Sequence, residues 1–403
     1  MRVLFSTTGG TGHFGPLIPV AKASAAAGQT VAVAAPSSFA EAVTRAGFEH
    51  LPFGAPPPEL IGEVFGRIQR LPFEQANRAV LAEVFGRLDA QAALPALSGI
   101  ITDWRPDLVV RETCEFGSLV AADRAGIAQL EVAIGMGRIG PGLVGVLEES
   151  LANLSIMAGL APVRGAELLL QGDSFTSVPA SLDSGELMLG KPQHEQPVGD
   201  GRRLWRFRTQ TAAAVTLPAP WGDPSHPLVY VSYGSVTARQ PQFAPMYQAT
   251  LDALADLPIR VLMTTGRDLD PADLDPIPPN SHVEQWWSQE AVMGGSAAVI
   301  GHGGFGTTMA ALAAGVPQIF LPLFSFDQAI NAERVAAVNA GIQLSSGLAG
   351  VPDLPAALGL MLDDPAFTEG ARAVAAEIAG LPAITECLPI LEQLANERTV
   401  SGS

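Results

Sequence analysis

The chain repeats one alternation. Short apolar, β-branched runs at 3–5, 31–34, 108–110 and 129–132 alternate with alanine-rich stretches at 17–27, 39–46, 73–89 and 116–125, where apolar residues recur at helical spacing. Strands separated by helices run parallel, because a crossover of that length returns the chain to the same edge of the sheet. The pattern collapses between 190 and 228 into proline, glycine and charge (KPQHEQPVGDGRR, then LPAPWGDPSHP) and then restarts. Strands are expected at 228–232, 260–264, 297–301, 318–322 and 341–344, with helices at 305–314 and 328–340. The expectation is therefore α/β, with two Rossmann-like parallel-sheet domains at 1–195 and 228–383, a linker at 196–227, and a ligand cleft between them. Residues 384–403 read as a terminal helix and tail able to pack back on the first domain.

At 403 residues the chain is too long for one ordinary core. Its 40 acidic against 23 basic residues give a net charge of −17, which repels phosphate backbones and anionic lipid heads, so no nucleic-acid or membrane partner is expected. Residues 291–326 carry no Asp, Glu, Lys or Arg, yet glycines and prolines cut the stretch into pieces that suit a buried α/β core better than a membrane span. The N-terminal apolar run is too short for a signal peptide, and a cytoplasmic monomer or homodimer is expected. Cys114 and Cys387, far apart in apolar segments, read as buried free thiols.

Two glycine turns carry the chemistry. The first, Gly10-Thr11-Gly12-His13-Phe14-Gly15, follows the opening strand and matches a dinucleotide-binding loop letter for letter. A nicotinamide or flavin site also needs an acid at the end of the second strand, where the sequence reads Ala34-Ala35-Pro36-Ser37. His13 is the distinctive residue, because a neutral imidazole at the carboxyl end of a strand can take a proton from a substrate hydroxyl. It could also simply cap the next helix. The second turn, Gly301-His302-Gly303-Gly304-Phe305-Gly306-Thr307-Thr308, opens another helix and offers amides and hydroxyls to an anion without a lysine. Trp286 and Trp287 precede it, suited equally to stacking on a base or to packing. Asp327-Gln328 follows it, able to hold hydroxyls or to cap a helix.

The ordered segments Trp286 to Gln289, His302 to Thr308, and Asp327-Gln328 through Asn331-Ala332 resemble the nucleotide-sugar signature of GT-B glycosyltransferases of the macrolide and plant-UGT-like family, in particular actinobacterial natural-product enzymes. The resemblance runs the length of the chain and is weakest from 135 to 220. It implies that Trp286 stacks on the nucleobase and the Trp287 backbone reads its edge, with Gln289 in the same segment. His302, Gly304, Gly306, Thr307, Thr308 and Ser235 would hold the diphosphate, and Asp327 and Gln328 the donor sugar. His13 falls at the family's general base and Glu112 at its usually aspartate partner, with Asp107 or a water as alternative partners. Ala310 stands where members using UDP-sugars commonly carry a glutamate on the ribose hydroxyls, which favours a dTDP-linked, deoxygenated sugar.

The resemblance thus implies an inverting transferase whose growing diphosphate charge is met by oriented dipoles, with neither cofactor nor metal expected. Phe14, Phe53, Phe65, Phe73, Phe85, Ile134 and Met136 are candidates for an apolar acceptor pocket suited to a hydrophobic aglycone such as a polyketide, though each could be ordinary core. Two other classes remain open at this point: an NAD(P)- or flavin-dependent oxidoreductase using Gly10, Gly12 and Gly15, and a non-catalytic auxiliary protein that keeps the fold.

Overall fold

In a computed structural model, residues 1–139, 141–183, 186–187, 203–209 and 214–401 are described. They form two compact units, the first built from Met1–Ser177, Asp183–Thr209 and Pro382–Ser403, the second from Val178–Leu182 and Gln210–Leu381.

The first unit is organised by a seven-stranded parallel sheet. Its strands are β1 (Arg2–Ser6), β2 (Thr30–Pro36), β3 (Glu49–Phe53), β4 (Leu108–Glu112), β5 (Ala128–Val132), β7 (Ser174–Thr176) and β9 (Leu204–Arg206), in the order β3-β2-β1-β4-β5-β7-β9. Two short strands, β6 (Arg138–Ile139) and β8 (Glu186–Leu187), pair separately. Val3 registers against Val31 on one side and Leu108 on the other. Val3, Leu4 and Phe5 are all fully buried, as a strand covered by helices on both faces requires. The last helix, Leu388–Ser401, brings Leu391 and Leu394 into the same core as Val3, Phe5 and Leu17, with Cys387 just before it.

A single long helical run crosses this unit: α-helical over Phe73–Ala79, π-helical over Val80–Asp89 and α-helical again to Trp104. The wider π turns loosen the i→i−4 ladder. Ser150 donates from a neighbouring helix to the Ala82 carbonyl at 2.9 Å, and Gly86 lies so close to Leu147 that a Cβ would meet its Cδ2 at 2.8 Å.

The second unit repeats the plan with six parallel strands, β10 (Leu228–Ser232), β11 (Arg260–Thr264), β12 (Ser281–Glu284), β13 (Ala298–Gly301), β14 (Gln318–Phe320) and β15 (Gly341–Gln343), ordered β12-β11-β10-β13-β14-β15. The uncharged stretch 291–326 supplies β13, β14 and the helix Phe305–Ala313 between them, and no described helix is long and apolar enough to cross a membrane.

The expected linker at 196–227 is corrected where it is described. Leu204–Arg206 is a strand of the first sheet, anchored by Trp205 and Phe207, which meet Phe175 edge-on at 5.7 and 5.0 Å. Leu217 and Trp221 pack instead on the second unit's core. Isolated aromatic anchors in a proline-rich stretch give no periodicity, so pattern alone reads them as loop. The proposed boundary at 195/196 lies outside the described residues.

Candidate active site

In the first unit the carboxyl ends of β1 and β4 meet. Their order in the sheet makes them neighbours, with Ser6 opposite Arg111, so the turns that follow them are adjacent. His13 sits in the one-turn helix Thr11–Phe14 after β1, and Glu112 ends β4. Their side chains pair, His13 Nδ1 to Glu112 Oε1 at 3.1 Å, with the imidazole about a quarter exposed and the carboxylate fully buried. Glu112 is otherwise well supplied. Oε1 accepts from the Thr8 amide (3.3 Å) and hydroxyl (3.0 Å), and Oε2 accepts from the Cys114 amide (2.6 Å). Burial pushes its carboxyl up, but the His13 charge and these hydrogen bonds outweigh burial and hold it below its ordinary range. The longer glutamate arm therefore reaches the imidazole in place of aspartate. Asp107 is excluded as the partner, because it lies at the opposite end of β4 and accepts from the Arg2 amide at 2.7 Å.

Beneath the pair, Arg111 is buried and committed. It bonds Glu131 at 2.9 Å and the carbonyls of Glu112 and Thr113, so it holds the end of β4 in place. A residue that sequence reasoning missed stands beside the pair. Asp89 closes the π-helical segment and lines a small, mainly apolar pocket with Thr8, Phe53, Cys114 and Phe116. Burial raises its carboxyl to about 6, with His13 opposing and Glu112 and Glu115 adding to the rise. Only a raised local potential marks it, and that needs coordinates.

The acceptor candidates separate. Phe85, on the π-helical segment, lies 5.2 Å centroid to centroid from the His13 ring, and Phe53 lines the pocket next to Glu112. Phe14 is core, edge-on to Phe39 with Val3 and Phe5, because on the one-turn helix its side chain is turned by about 100° from that of His13. Met136 is fully buried and Ile134 half-buried after β5. Phe65 and Phe73 are exposed, 43% and 46%, on the helices Pro58–Ile68 and Phe73–Ala79, away from any described pocket. Cys387 is buried as expected and its thiol is pushed up to about 12, whereas Cys114 is half-buried in the pocket rather than inert core.

In the second unit the ends of β10 and β13 are neighbours in the same way, Ser232 opposite Gly301. His302 follows β13 and is buried, and desolvation pushes its imidazole down to about 4, the Ser232 backbone opposing. Its Nε2 edge faces two glycines. A Cβ would meet that nitrogen at 2.9 Å from Gly234 and at 2.6 Å from Gly304. Gly303, at φ +88°, is wedged against Gln328, where a Cβ would sit 2.5 Å from the carbonyl oxygen. Asn331 Nδ2 donates to the Gly303 carbonyl at 2.8 Å, which gives the motif's asparagine a structural role.

The helix Phe305–Ala313 opens from this turn with Gly306 exposed and its first N–H groups lacking intrahelical partners. Gln289 Nε2 donates to Thr307 Oγ1 at 2.8 Å, so the hydroxyl proton is directed elsewhere, available to an anion. Thr308 is 1% exposed, with its hydroxyl buried and without a hydrogen-bond partner. Trp286 is 73% exposed and belongs to no core, whereas Trp287 is tied down by its Nε1 donating to the Thr216 carbonyl at 3.0 Å. Ser235 is exposed after Gly234. Gln328 is buried, its carbonyl accepting from the amides of Leu323 and Phe324, so only its amide nitrogen remains for a sugar; Asp327 accepts from the Ser325 hydroxyl.

Two Asp-Leu-Asp triplets, 268–270 and 273–275, have a spacing suited to a divalent cation. Asp268 is paired with Arg239 at 2.6 Å and Asp270 caps the turn Pro271–Asp273, so the first is committed to structure.

Two parallel-sheet units, each with a glycine–histidine turn after a central strand, define a GT-B protein. The erythromycin biosynthesis protein CIII-like family matches at residues 22–156 with its N-terminal domain and 248–394 with its C-terminal domain, and the chain belongs to it. The L-demethylnoviosyl transferase of Streptomyces niveus is 31% identical over 95% of each chain. The elloramycin glycosyltransferase of Streptomyces olivaceus is 31% identical over 95% of this chain and 94% of its own. Among solved structures, the glycosyltransferase SnogD from Streptomyces nogalater has a TM-score of 0.72 at 24% identity, covering 98% of this chain and 99% of its own. VinC in complex with dTDP has a TM-score of 0.73 at 22% identity, covering 98% and 100%. The chain is a nucleotide-sugar-dependent glycosyltransferase, and the oxidoreductase and auxiliary-protein alternatives are set aside.

Proposed function

We propose that the protein transfers a deoxysugar from a dTDP-sugar to a hydrophobic natural product, with inversion, without a metal, and with His13 as general base. The observation that carries this is the His13–Glu112 pair, 3.1 Å apart at the carboxyl end of the first sheet. Glu112 holds the Nδ1 proton, which leaves Nε2 unprotonated. The acceptor hydroxyl gives its proton to Nε2 while its oxygen bonds the anomeric carbon. The bond from that carbon to the diphosphate breaks, and its electron pair leaves with the phosphate oxygen. Glu112 stabilises the resulting imidazolium, as buried carboxylates do for other catalytic histidines.

The leaving charge is met by the amides at the start of Phe305–Ala313, the Thr307 hydroxyl and His302, whose low pKa keeps it a neutral hydrogen-bonding group. The dTDP reading is supported by Ala310, which offers no carboxylate to a ribose 2′-hydroxyl, and by the dTDP found with VinC. Named relatives that glycosylate elloramycin and aklavinone support a hydrophobic acceptor, and Phe53 and Phe85 supply apolar surface beside the base.

A thermal-shift comparison of dTDP, UDP and GDP tests the donor. The largest stabilisation is expected with dTDP, and a response to GDP alone would sink the reading. Ala310→Glu should move preference toward UDP by several-fold; an unchanged ratio removes the argument from Ala310.

A further inference from the structure

Beside the histidine and the carboxylate lies a third group that the transfer reaction leaves unused. One ring nitrogen of His13, one carboxylate oxygen of Glu112 and the sulfur of Cys114 all fall within 4.8 Å of one another. The nitrogen turned to Glu112 is Nδ1, and its distance to Oε1 is 3.1 Å. A tetrahedral zinc ion bonds nitrogen and oxygen at about 2.1 Å and so holds those two ligand atoms roughly 3.4 Å apart. The gap now spanned by one hydrogen bond is therefore close to the gap that a metal requires between these two atoms.

Charge and softness agree with the spacing. A carboxylate and a thiolate cancel the two positive charges, which suits a centre where Glu112 is fully buried. The sulfur selects a borderline ion such as zinc over magnesium or calcium, which prefer all-oxygen sites. The backbone N–H of Cys114 already bonds the other Glu112 oxygen at 2.6 Å, so the Cys114 backbone is held against the Glu112 carboxylate before any ion arrives.

We propose that His13, Glu112 and Cys114 form an inhibitory site for a thiophilic divalent ion, zinc in the first instance. Coordination at Nδ1 displaces its proton, and the neutral imidazole then carries its proton on Nε2, the atom that has to be bare to receive the acceptor proton. The thiol releases one proton to solvent as it binds. The ion thus reverses the tautomer and switches the base off while the groups around His302 stay untouched. The inhibition rests on the proposed role of His13, whereas the binding does not.

The test uses the full chain. Cobalt(II) is added as a spectroscopic probe and zinc binding is followed by calorimetry, on the wild type and on Cys114→Ser, with melting curves to verify folding. The expected results are a thiolate-to-cobalt charge-transfer band in the wild type, its loss in Cys114→Ser, and at least about 100-fold weaker zinc binding in the variant. Zinc should also slow alkylation of Cys114 in the wild type, a readout that needs no variant; Cys387, being fully buried, gives the unreactive reference. Absence of both the band and the protection overturns the site. Thiolate coordination with dTDP-sugar transfer undiminished leaves the metal ligands standing and overturns both the inhibition and the base assignment. Transfer lost on adding zinc, restored by a chelator, with dTDP affinity unchanged, supports the whole proposal.

Discussion

The two glycine–histidine turns share a local plan and differ in electrostatics. Each follows a central parallel strand and opens a helix, and each places its histidine beside the end of a neighbouring strand. At the first, a fully buried carboxylate pairs with an imidazole that is about a quarter exposed. At the second, the imidazole is sealed among glycines with no carboxylate among its described partners, and burial drives its pKa down to about 4. Under the proposed function, the same residue type moves a proton in one unit and hydrogen-bonds an anion in the other. The difference lies in which side chains surround each ring, and it can be broken separately in each unit.

The largest effect should come from the rings' own settings. His13→Ala is expected to lower kcat by about 10²- to 10⁴-fold while dTDP affinity stays within about twofold. Gly304→Ala should do the reverse, because its Cβ would lie 2.6 Å from His302 Nε2 and would close the proposed approach of the diphosphate. Steady-state kinetics with calorimetric dTDP binding on both variants checks the pair. If His13→Ala loses donor affinity as much as rate, its role is structural and the contrast fails.

The contrast was visible in sequence only at one end. The second turn was legible because its chemistry is local: glycines at fixed offsets, a helix start and hydroxyls occur within eight consecutive residues. Parallel sheets were legible for a similar reason, since apolar runs and helical spacing are short-range. The partner of His13 was named only through family resemblance, because 99 residues separate it from Glu112 and pairing depends on strand order in the sheet. Asp89 gave no signal, as its character comes from burial near two other acids at the end of a π-helical segment. Among the acceptor candidates, Phe14 and Met136 are buried, in line with the core alternative left open for each, and Phe65 and Phe73 are exposed, since apolar identity alone does not say which side of a helix is covered.

Asp89 offers a pH test of the first unit that leaves the second unit untouched. Its folded pKa of about 6 lies above the ordinary 3.8, so the native state binds more protons than the unfolded chain between those values. Stability should fall as pH rises through that window, and the penalty should be fully present above pH 6, at most about 3 kcal/mol from the size of the shift. Asp89→Asn should therefore melt higher than the wild type at pH 7.5 and equal to it near pH 4. Melting temperatures of the two across that range decide the matter, and a difference that does not change with pH would mean that the carboxylate is not the strained group.

The smallest expected effect probes how the second unit aims a hydroxyl. Gln289 donates to Thr307, and a hydroxyl oxygen that accepts one hydrogen bond has its own proton free to point away from that donor. If that proton meets the diphosphate, Gln289 acts on donor affinity only through Thr307. Each single substitution, Gln289→Ala or Thr307→Ala, should weaken dTDP binding by about 1 kcal/mol, the net worth of an ordinary hydrogen bond. The double variant should be little worse than either one, giving a coupling of similar size. Additive losses would mean that the two side chains touch the nucleotide independently. His302→Ala in the same cycle separates the cases further: its loss should add to that of the Gln289–Thr307 pair, because its ring packs against Gly234 and Gly304 and no described hydrogen bond joins it to either residue.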